Sequence, residues 1–103
     1  MGTHNGRVDV ERISRGEIWA VVVSINPINN LCPDVLVAPI TTKPGPLRVE
    51  IAEQTAAGLR ANSFAKCESL GPVHKSRLKK KIGSLPKPEV IKLESGIRRV
   101  LGL

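Results

Sequence analysis

Short apolar runs, each closed by turn-forming residues, set the strongest limit on what this chain can fold into. The first run, residues 19–25 within "EIWAVVVSINP", is dense in β-branched residues and too short for a helix, so it predicts a strand. Further strands are predicted at residues 35–42, 47–53, 62–70 and 80–84. Turn formers occupy residues 26–34, 43–46 and 56–59, and residues 75–78 predict a short helix or turn.

Two of these runs carry finer information. Residues 47–53 alternate strictly, which places Leu47, Val49 and Ile51 on one face of a half-buried strand. Pro39 interrupts the run at 35–42, and proline cannot donate a hydrogen bond to a neighbouring strand. We therefore expect Pro39 at a sheet edge, a bulge or a strand end.

The C-terminal segment "PEVIKLESGIRRVLGL" has a different period. Its apolar residues recur at helical spacing: Val90, Leu93, Ile97, Val100 and Leu101. Pro88 and Glu89 suit a first helical turn, and Gly102 is a natural stop. There is no internal repeat and no alternation of strands with helices, so the predicted class is α+β, mainly β. We expect a small, strongly bent antiparallel sheet or half-open barrel with the helix packed on it.

Length and charge limit the partners. A chain of 103 residues predicts one domain, here residues 15–103, after a flexible polar lead-in at residues 1–14. The net charge of +7 favours a polyanionic partner such as nucleic acid, although solubility alone explains such a charge too. The aromatic residues are only Trp19 and Phe64, which argues against a platform for stacking bases.

The two cysteines, Cys32 and Cys67, form neither a CxxC pair nor a tetrahedral zinc site with His4 and His74. Isolated thiols fit a reduced cytoplasm. The N-terminal residues contain no apolar signal segment, and no run is long enough to span a membrane. A cytoplasmic, soluble protein without a metal, a cofactor or a membrane partner is therefore expected.

Several polar residues are candidates for chemistry, each with an ordinary alternative. The basic run "HKSRLKKKIG" contains Lys75, Arg77 and three further lysines, which contact phosphates or form a solvated face. Thr41 and Thr42 end a predicted strand beside Lys43, where a hydroxyl can bond a phosphate oxygen. Glu17, Glu68 and His74 are possible acid–base groups, or else surface side chains.

Five motifs occur in a familiar order: "RGEIW", "VLVAPITTK", "GLRANSFAKCESL", "HKSRLKKKIGSL" and "GIRRVLGL". Over residues 15–103 the chain resembles the MazF/PemK (Kid) toxins of bacterial type II toxin–antitoxin systems. The resemblance implies an SH3-like β-barrel with a C-terminal helix, forming a homodimer. It implies a metal-independent endoribonuclease (an mRNA interferase) that cuts single-stranded RNA at short motifs through attack of the ribose 2′-OH on the adjacent phosphate.

The resemblance also implies site residues. Thr41 matches the threonine of the family's "PIT" motif and is the expected catalytic residue, and Ser63 matches a serine of a later strand. The expected RNA-binding residues are Thr42, Lys43, Arg48, Ser63, Lys75 and Arg77. No metal ligand is implied.

The family's key arginine lies in a loop just before the second strand, and no arginine stands between Arg15 and Arg48. We therefore interpret "EIWA" as the end of the first strand and "VVVSINP" as the second strand, with the loop missing between them. Arg48 or Arg60 would then be the candidates for replacement charge.

Three functions follow from this interpretation. The first is an RNA-cleaving toxin held in check by an antitoxin with an acidic tail. The second is a catalytically impaired relative that binds antitoxin or RNA without cleaving. The third, a gyrase-inhibiting toxin of the CcdB type, shares the fold and not the activity.

Overall fold

A computed structural model describes residues 8–13, 18–51 and 62–103. The described strands are β1 Val8–Ile13, β2 Ile18–Val22, β3 Asp34–Thr41, β4 Arg48–Ile51, β5 Ser63–Lys66, β6 Gly71–His74 and β7 Leu78–Leu85. Two α-helices accompany them, α1 Asn26–Leu31 and α2 Lys87–Leu101. Short 3-10 turns at Cys67–Ser69 and Lys75–Arg77 connect β5 to β6 and β6 to β7.

The described strands form one antiparallel sheet in the order β4-β5-β3-β2-β1-β7, with β6 also pairing with β3. The predicted class, mainly β with a C-terminal helix, is confirmed. Among the described residues the sheet stays open, since no pairing joins β4 to β7 at its two ends. The barrel is therefore incomplete.

β3 lies at the centre of the sheet and has two partners along the same edge. Its first half pairs with β6, from Asp34 opposite His74 to Val37 opposite Gly71. Its end pairs with β5, where Thr41 is opposite Phe64. Pro39 falls where β6 has ended and β5 has not begun, so this edge needs no hydrogen bond from it.

The sheet has two apolar faces. One face packs under α2 in a cluster that includes Val10, Val21, Ala38 and Ala65. The opposite face carries a smaller cluster of Ile13, Ala20, Val22, Val35 and Val37, joined by Val73 and Leu78. Since side chains alternate along β3, Val37, Pro39 and Thr41 share this second face.

α2 forms as its sequence predicts. Val90, Leu93 and Ile97 are buried against the sheet, while Leu101 is 55% exposed and is not a core residue. The helix begins with proline in its first turn and Glu89 near its N-terminus, where a carboxylate suits the helix dipole. It ends at Gly102, whose φ of 74° is the left-handed conformation that glycine adopts most readily.

The predicted lead-in at residues 1–14 is wrong for residues 8–13, which form β1 between β2 and β7. Three charged residues among six hide the strand pattern in the sequence. Val10 and Ile13 are nevertheless fully buried, and Asp9 pairs with Lys81 of β7 at 3.2 Å. Residues 1–7 lie outside the described residues, as does the turn predicted at 56–59.

The predicted division of "EIWAVVVSINP" into two strands is also wrong. Ala20 pairs with Glu11 of β1 on one side and with Pro39 of β3 on the other, and Val21 likewise has a partner on both sides. Residues 18–22 are therefore one continuous strand. The sequence carries no break there because the strand is buried on both faces.

Residues 26–31, predicted as a turn, form the short helix α1. Asn29 explains the difference, because its amide donates to the carbonyl of Ser24 at 2.9 Å and accepts from the Ser24 hydroxyl. The Ser24 hydroxyl accepts in turn from the backbone N–H of Leu36 at 3.1 Å. These contacts join α1 to β3 and satisfy a serine that is only 4% exposed.

Candidate functional site at the end of β3

Thr41 is the last residue of β3 and points to the face opposite α2. Its cross-strand partner, Phe64, shares that face, whereas Ile40 and Ala65 point to the other. The Thr41 hydroxyl accepts from the backbone N–H of Lys43 at 3.2 Å. Because this bond uses a lone pair, the hydroxyl proton stays available for donation to a ligand.

Residues 42–47 form a tight connection from β3 to β4. Thr42 and Lys43 are exposed at its start. Arg48 closes it, since its backbone N–H donates to the carbonyl of Gly45 at 3.2 Å and its Nη1 donates to the carbonyl of Lys43 at 2.9 Å. Thr41, Lys43 and Arg48 are thus brought together.

The Arg48 guanidinium also makes an ion pair. Its Nε donates to Glu68 Oε2 at 2.9 Å, which joins β4 to the Cys67–Ser69 turn. A hydrogen bond from the backbone N–H of Glu68 and the bond from Arg48 hold the pKa of the Glu68 carboxyl below its ordinary value. Glu68 is therefore an ion-pair partner and is poorly suited to accept a proton.

A groove of about 180 Å³ lies on the same face as Thr41. Its lining includes Val37 and Pro39 of β3, Pro72 and Val73 of β6, and Arg77. Pro39 precedes Thr41 by two residues, so the two residues share this face of β3. This face of the sheet therefore carries a hydroxyl donor at the end of β3 and a partly apolar groove lined by the Arg77 side chain.

The remaining residues of the predicted site are not brought together with these. Ser63 is 4% exposed and pairs with Ile51, which is buried, so it points to the face opposite Thr41. Lys75 lies at the start of β3, where its backbone N–H donates to the carbonyl of Pro33 at 3.0 Å. The length of β3 separates Lys75 from Thr41, about 23 Å at the usual rise of a strand.

The structure changes where the arginine of the family should be sought. The strand before β2 is β1, and the chain passes between them through residues 14–17. Arg15 belongs to this connection, which begins after Ile13 and ends before Ile18, and both of these isoleucines line the groove. Arg15, Glu17 and Arg60 themselves lie outside the described residues.

Other reactive groups lie away from the groove. Cys67 is fully buried beneath α2, and burial raises the pKa of its thiol, which makes it a poor nucleophile. His74 is exposed, and its Nδ1 accepts from the backbone N–H of Ser76 at 3.1 Å. Across the described ranges, no cluster of three or more His, Cys, Asp or Glu side chains could hold a metal ion.

No helix among residues 8–13, 18–51 and 62–103 is both long and apolar enough to cross a membrane.

Solved structures of low sequence identity share the fold. A Mycobacterium tuberculosis toxin, MazF-mt6, superposes with a TM-score of 0.82 at 18% identity, covering 92% of this chain and 97% of that one. A mycobacterial endoribonuclease in complex with its cognate antitoxin gives 0.76 at 21% identity, covering 100% and 97%. A Deinococcus radiodurans MazE–MazF complex gives 0.73 at 17%, covering 97% and 95%.

No curated protein matches the chain significantly in sequence. The family described as "PemK-like, MazF-like toxin of type II toxin-antitoxin system" matches residues 7–101, a range that includes β1, both helices and the end of β3. With that range covering nearly the whole chain and the fold shared with MazF toxins, this protein belongs to the PemK-like, MazF-like family of toxins of type II toxin–antitoxin systems.

Proposed function

We propose that this toxin is an endoribonuclease that cleaves single-stranded mRNA at short motifs without a metal ion. The observation that carries the proposal is the Thr41 hydroxyl at the end of β3, on the sheet face that also carries the groove lined by Pro39 and Arg77. Two structural neighbours are named endoribonucleases, which supports the same reaction here.

The reaction divides into a bond made and a bond broken. The ribose 2′-oxygen bonds to the adjacent phosphorus as its proton passes to water, and the bond from phosphorus to the 5′-oxygen breaks as that oxygen takes a proton from water, so no proton is gained or lost overall. The products are a 2′,3′-cyclic phosphate and a 5′-OH end. Negative charge builds on the non-bridging oxygens in between, so a hydroxyl donor and a guanidinium aimed at them lower the barrier.

Thr41 and Arg77 have distinct roles in this proposal. The Thr41 hydroxyl donates a hydrogen bond to a non-bridging oxygen. The bond that it accepts from the Lys43 N–H favours this orientation. Arg77 supplies positive charge from within the groove. Arg15, in the connection before β2, supplies the arginine that the family resemblance places there, so the chain need not be an impaired member.

The partners follow from charge and family. An acidic antitoxin tail complements a net charge of +7, and two neighbours are complexes with an antitoxin or with MazE. A homodimer is proposed as well. Light scattering that gives the single-chain mass of 11.1 kDa would contradict the dimer, and an antitoxin affinity insensitive to salt would contradict the electrostatic contact.

The purified protein should cut a long single-stranded RNA in the presence of EDTA into discrete fragments with 5′-OH ends. Thr41→Ala and Arg15→Ala should each lower the rate of cleavage by about 10²-fold or more, the usual loss when one donor to the transition state is removed. Gel analysis of end-labelled RNA measures both the rate and the chemistry of the ends.

Ser95→Ala, on the exposed surface of α2, is the matched control and should cleave at the wild-type rate. RNA that stays intact at high protein concentration would overturn the proposed activity. Inhibition of DNA supercoiling, with RNA left uncut, would support the alternative of a gyrase-inhibiting toxin.

A further inference from the structure

Arg48, expected to bind RNA, makes three hydrogen bonds within the protein. Nε donates to Glu68, Nη1 donates to the carbonyl of Lys43, and the backbone N–H of Arg48 donates to Gly45. Two N–H donors of the guanidinium, at Nε and Nη1, are thereby occupied by oxygens of the protein 2.9 Å away. Only 21% of the side chain is exposed, and this part lines a groove of about 450 Å³ together with Lys92 and Arg99 of α2.

Gly45 packs directly on this side chain. A Cβ added at Gly45 would lie 2.9 Å from both Cδ and Nε of Arg48, closer than real side chains approach. The backbone of the 42–47 connection therefore rests on Arg48, and the absence of a side chain at Gly45 is what allows it.

The contacts continue to Thr41. Arg48 holds the carbonyl side of Lys43, and the N–H of Lys43 donates to the Thr41 hydroxyl oxygen. On its other side, the Arg48 guanidinium is bound by Glu68, which lies in the turn between β5 and β6. An uninterrupted series of polar contacts thus runs from Glu68 through Arg48 and Lys43 to Thr41.

We propose that Arg48, held by Glu68, is a positioning residue that fixes the Lys43 backbone and, through it, the orientation of the Thr41 hydroxyl, and that it does not contact RNA phosphates. The proposal rests on the proposed function in that Thr41 is taken to donate to the scissile phosphate. It adds that the activity of Thr41 depends on a side chain that never touches the substrate.

A lysine cannot replace Arg48 in this role. The planar guanidinium donates in two fixed directions at once, to a carboxylate and to a carbonyl, whereas an ammonium on a flexible stem is a single point charge. A phosphate contact, in contrast, would tolerate lysine, since charge is its main requirement.

The first test does not depend on cleavage. Hydrogen exchange of the Lys43 amide, followed by NMR, should accelerate about tenfold in Arg48→Ala and Arg48→Lys, because the amide loses its fixed orientation toward Thr41. Glu68→Gln should accelerate it less. If wild type cleaves no RNA but these rates change, the proposed function fails and the positioning role stands; unchanged rates would overturn the positioning role.

The second test uses kinetics. Arg48→Ala and Arg48→Lys should lower kcat by about 10- to 100-fold, as misplacement of a catalytic group does, and leave KM within about twofold. The slope of log affinity against log salt should stay unchanged. A loss of one phosphate contact would instead reduce that slope by about 0.7 and raise KM, which would overturn the proposal, as would full activity of Arg48→Lys.

Gly45→Ala provides a further variant, which keeps both Arg48 and Glu68. Its new methyl group should displace Arg48 and lower kcat with the charge of the protein unchanged. Thermal unfolding of each variant shows whether the fold is retained, and Asn30→Ala, at an exposed position of α1, serves as the neutral control. Wild-type kcat in Gly45→Ala would contradict the role of Arg48.

Discussion

At the scale of single residues, Gly96 shows how a residue that weakens a helix alone can be required in the fold. Glycine is unfavourable inside a helix by about 1 kcal/mol relative to alanine. Yet a Cβ at Gly96 would lie 2.4 Å from Cγ2 of Val49 and 3.2 Å from Sγ of Cys67. α2 therefore approaches β4 and the Cys67–Ser69 turn more closely than any side chain at this position allows.

Gly96→Ala should lower the free energy of unfolding by about 1–3 kcal/mol, because overpacking outweighs the gain in helix propensity. Chemical denaturation monitored by circular dichroism measures the change. The neighbouring Ser95→Ala is exposed and should alter stability by less than about 0.5 kcal/mol. A Gly96→Ala protein as stable as wild type would show that α2 can shift outward freely.

At the scale of elements, β1 and β7 are paired through charged residues as well as backbone bonds. Asp9 accepts from Ser84 at 3.0 Å and pairs with Lys81 at 3.2 Å. Glu11 of β1 lies nearby, and burial raises the pKa of its carboxyl; Asp9 adds to this rise and Lys81 opposes it. The charged form of Glu11 is thus disfavoured in the folded protein.

This shift predicts how stability depends on pH. Because the pKa of Glu11 is higher in the folded state, stability is lost as pH rises from the ordinary value of 4.5 through the raised one. Glu11→Gln should therefore raise the melting temperature at pH 7, with the gain disappearing below pH 4.5. Calorimetry across this range is the measurement.

Glu50→Gln, at an exposed position of β4, removes one carboxylate in the same way and is the control for the change in net charge. A Glu11→Gln protein that is less stable than wild type at pH 7 would mean that attraction to Lys81 outweighs the effect of burial.

At the scale of the whole molecule, the sheet order decides what the basic run contributes. Lys79 and Lys80 are exposed on β7, at one end of the sheet, whereas Thr41 lies where β3 meets β5 toward the other end. Two strands, β2 and β1, lie between β7 and β3, so we expect these lysines not to contact a phosphate bound at Thr41. Their effect on RNA should be long-range attraction within the net charge of +7.

Replacing both Lys79 and Lys80 by alanine should weaken RNA binding at low salt by about tenfold and have almost no effect near 0.5 M salt, where such attraction is screened. The cleavage rate at saturating RNA should be unchanged. Fluorescence anisotropy at several salt concentrations provides the affinities, with Arg98→Ala on exposed α2 as a charge control. A salt-independent loss of cleavage would place these lysines at the reacting phosphate.

Most of the secondary structure follows from local patterns. The buried residues of α2, its termini and the runs that became β2, β3 and β5 were predictable because period and backbone preference reside in neighbouring residues. β1 and α1 were not. Asp9 of β1 is paired with Lys81 of β7, and Asn29 of α1 is hydrogen-bonded to Ser24.

The candidate site divides in the same way. Thr41 at a strand end was predictable, because "PIT" followed by "KPGP" marks where β3 stops. The buried orientation of Ser63 depends on the register between β4 and β5, which no local pattern contains.

By itself, then, the sequence determined a mainly β chain with one C-terminal helix and a toxin family, and it proposed a threonine at a strand end as the candidate catalytic residue. Only the tertiary structure decided that β1 precedes β2 directly, that the connection between them contains Arg15, and that Arg48 binds Glu68. The physical reason is distance along the chain. Arg48 and Glu68 are 20 residues apart, and their contact exists only because β4 and β5 pair beside the end of β3.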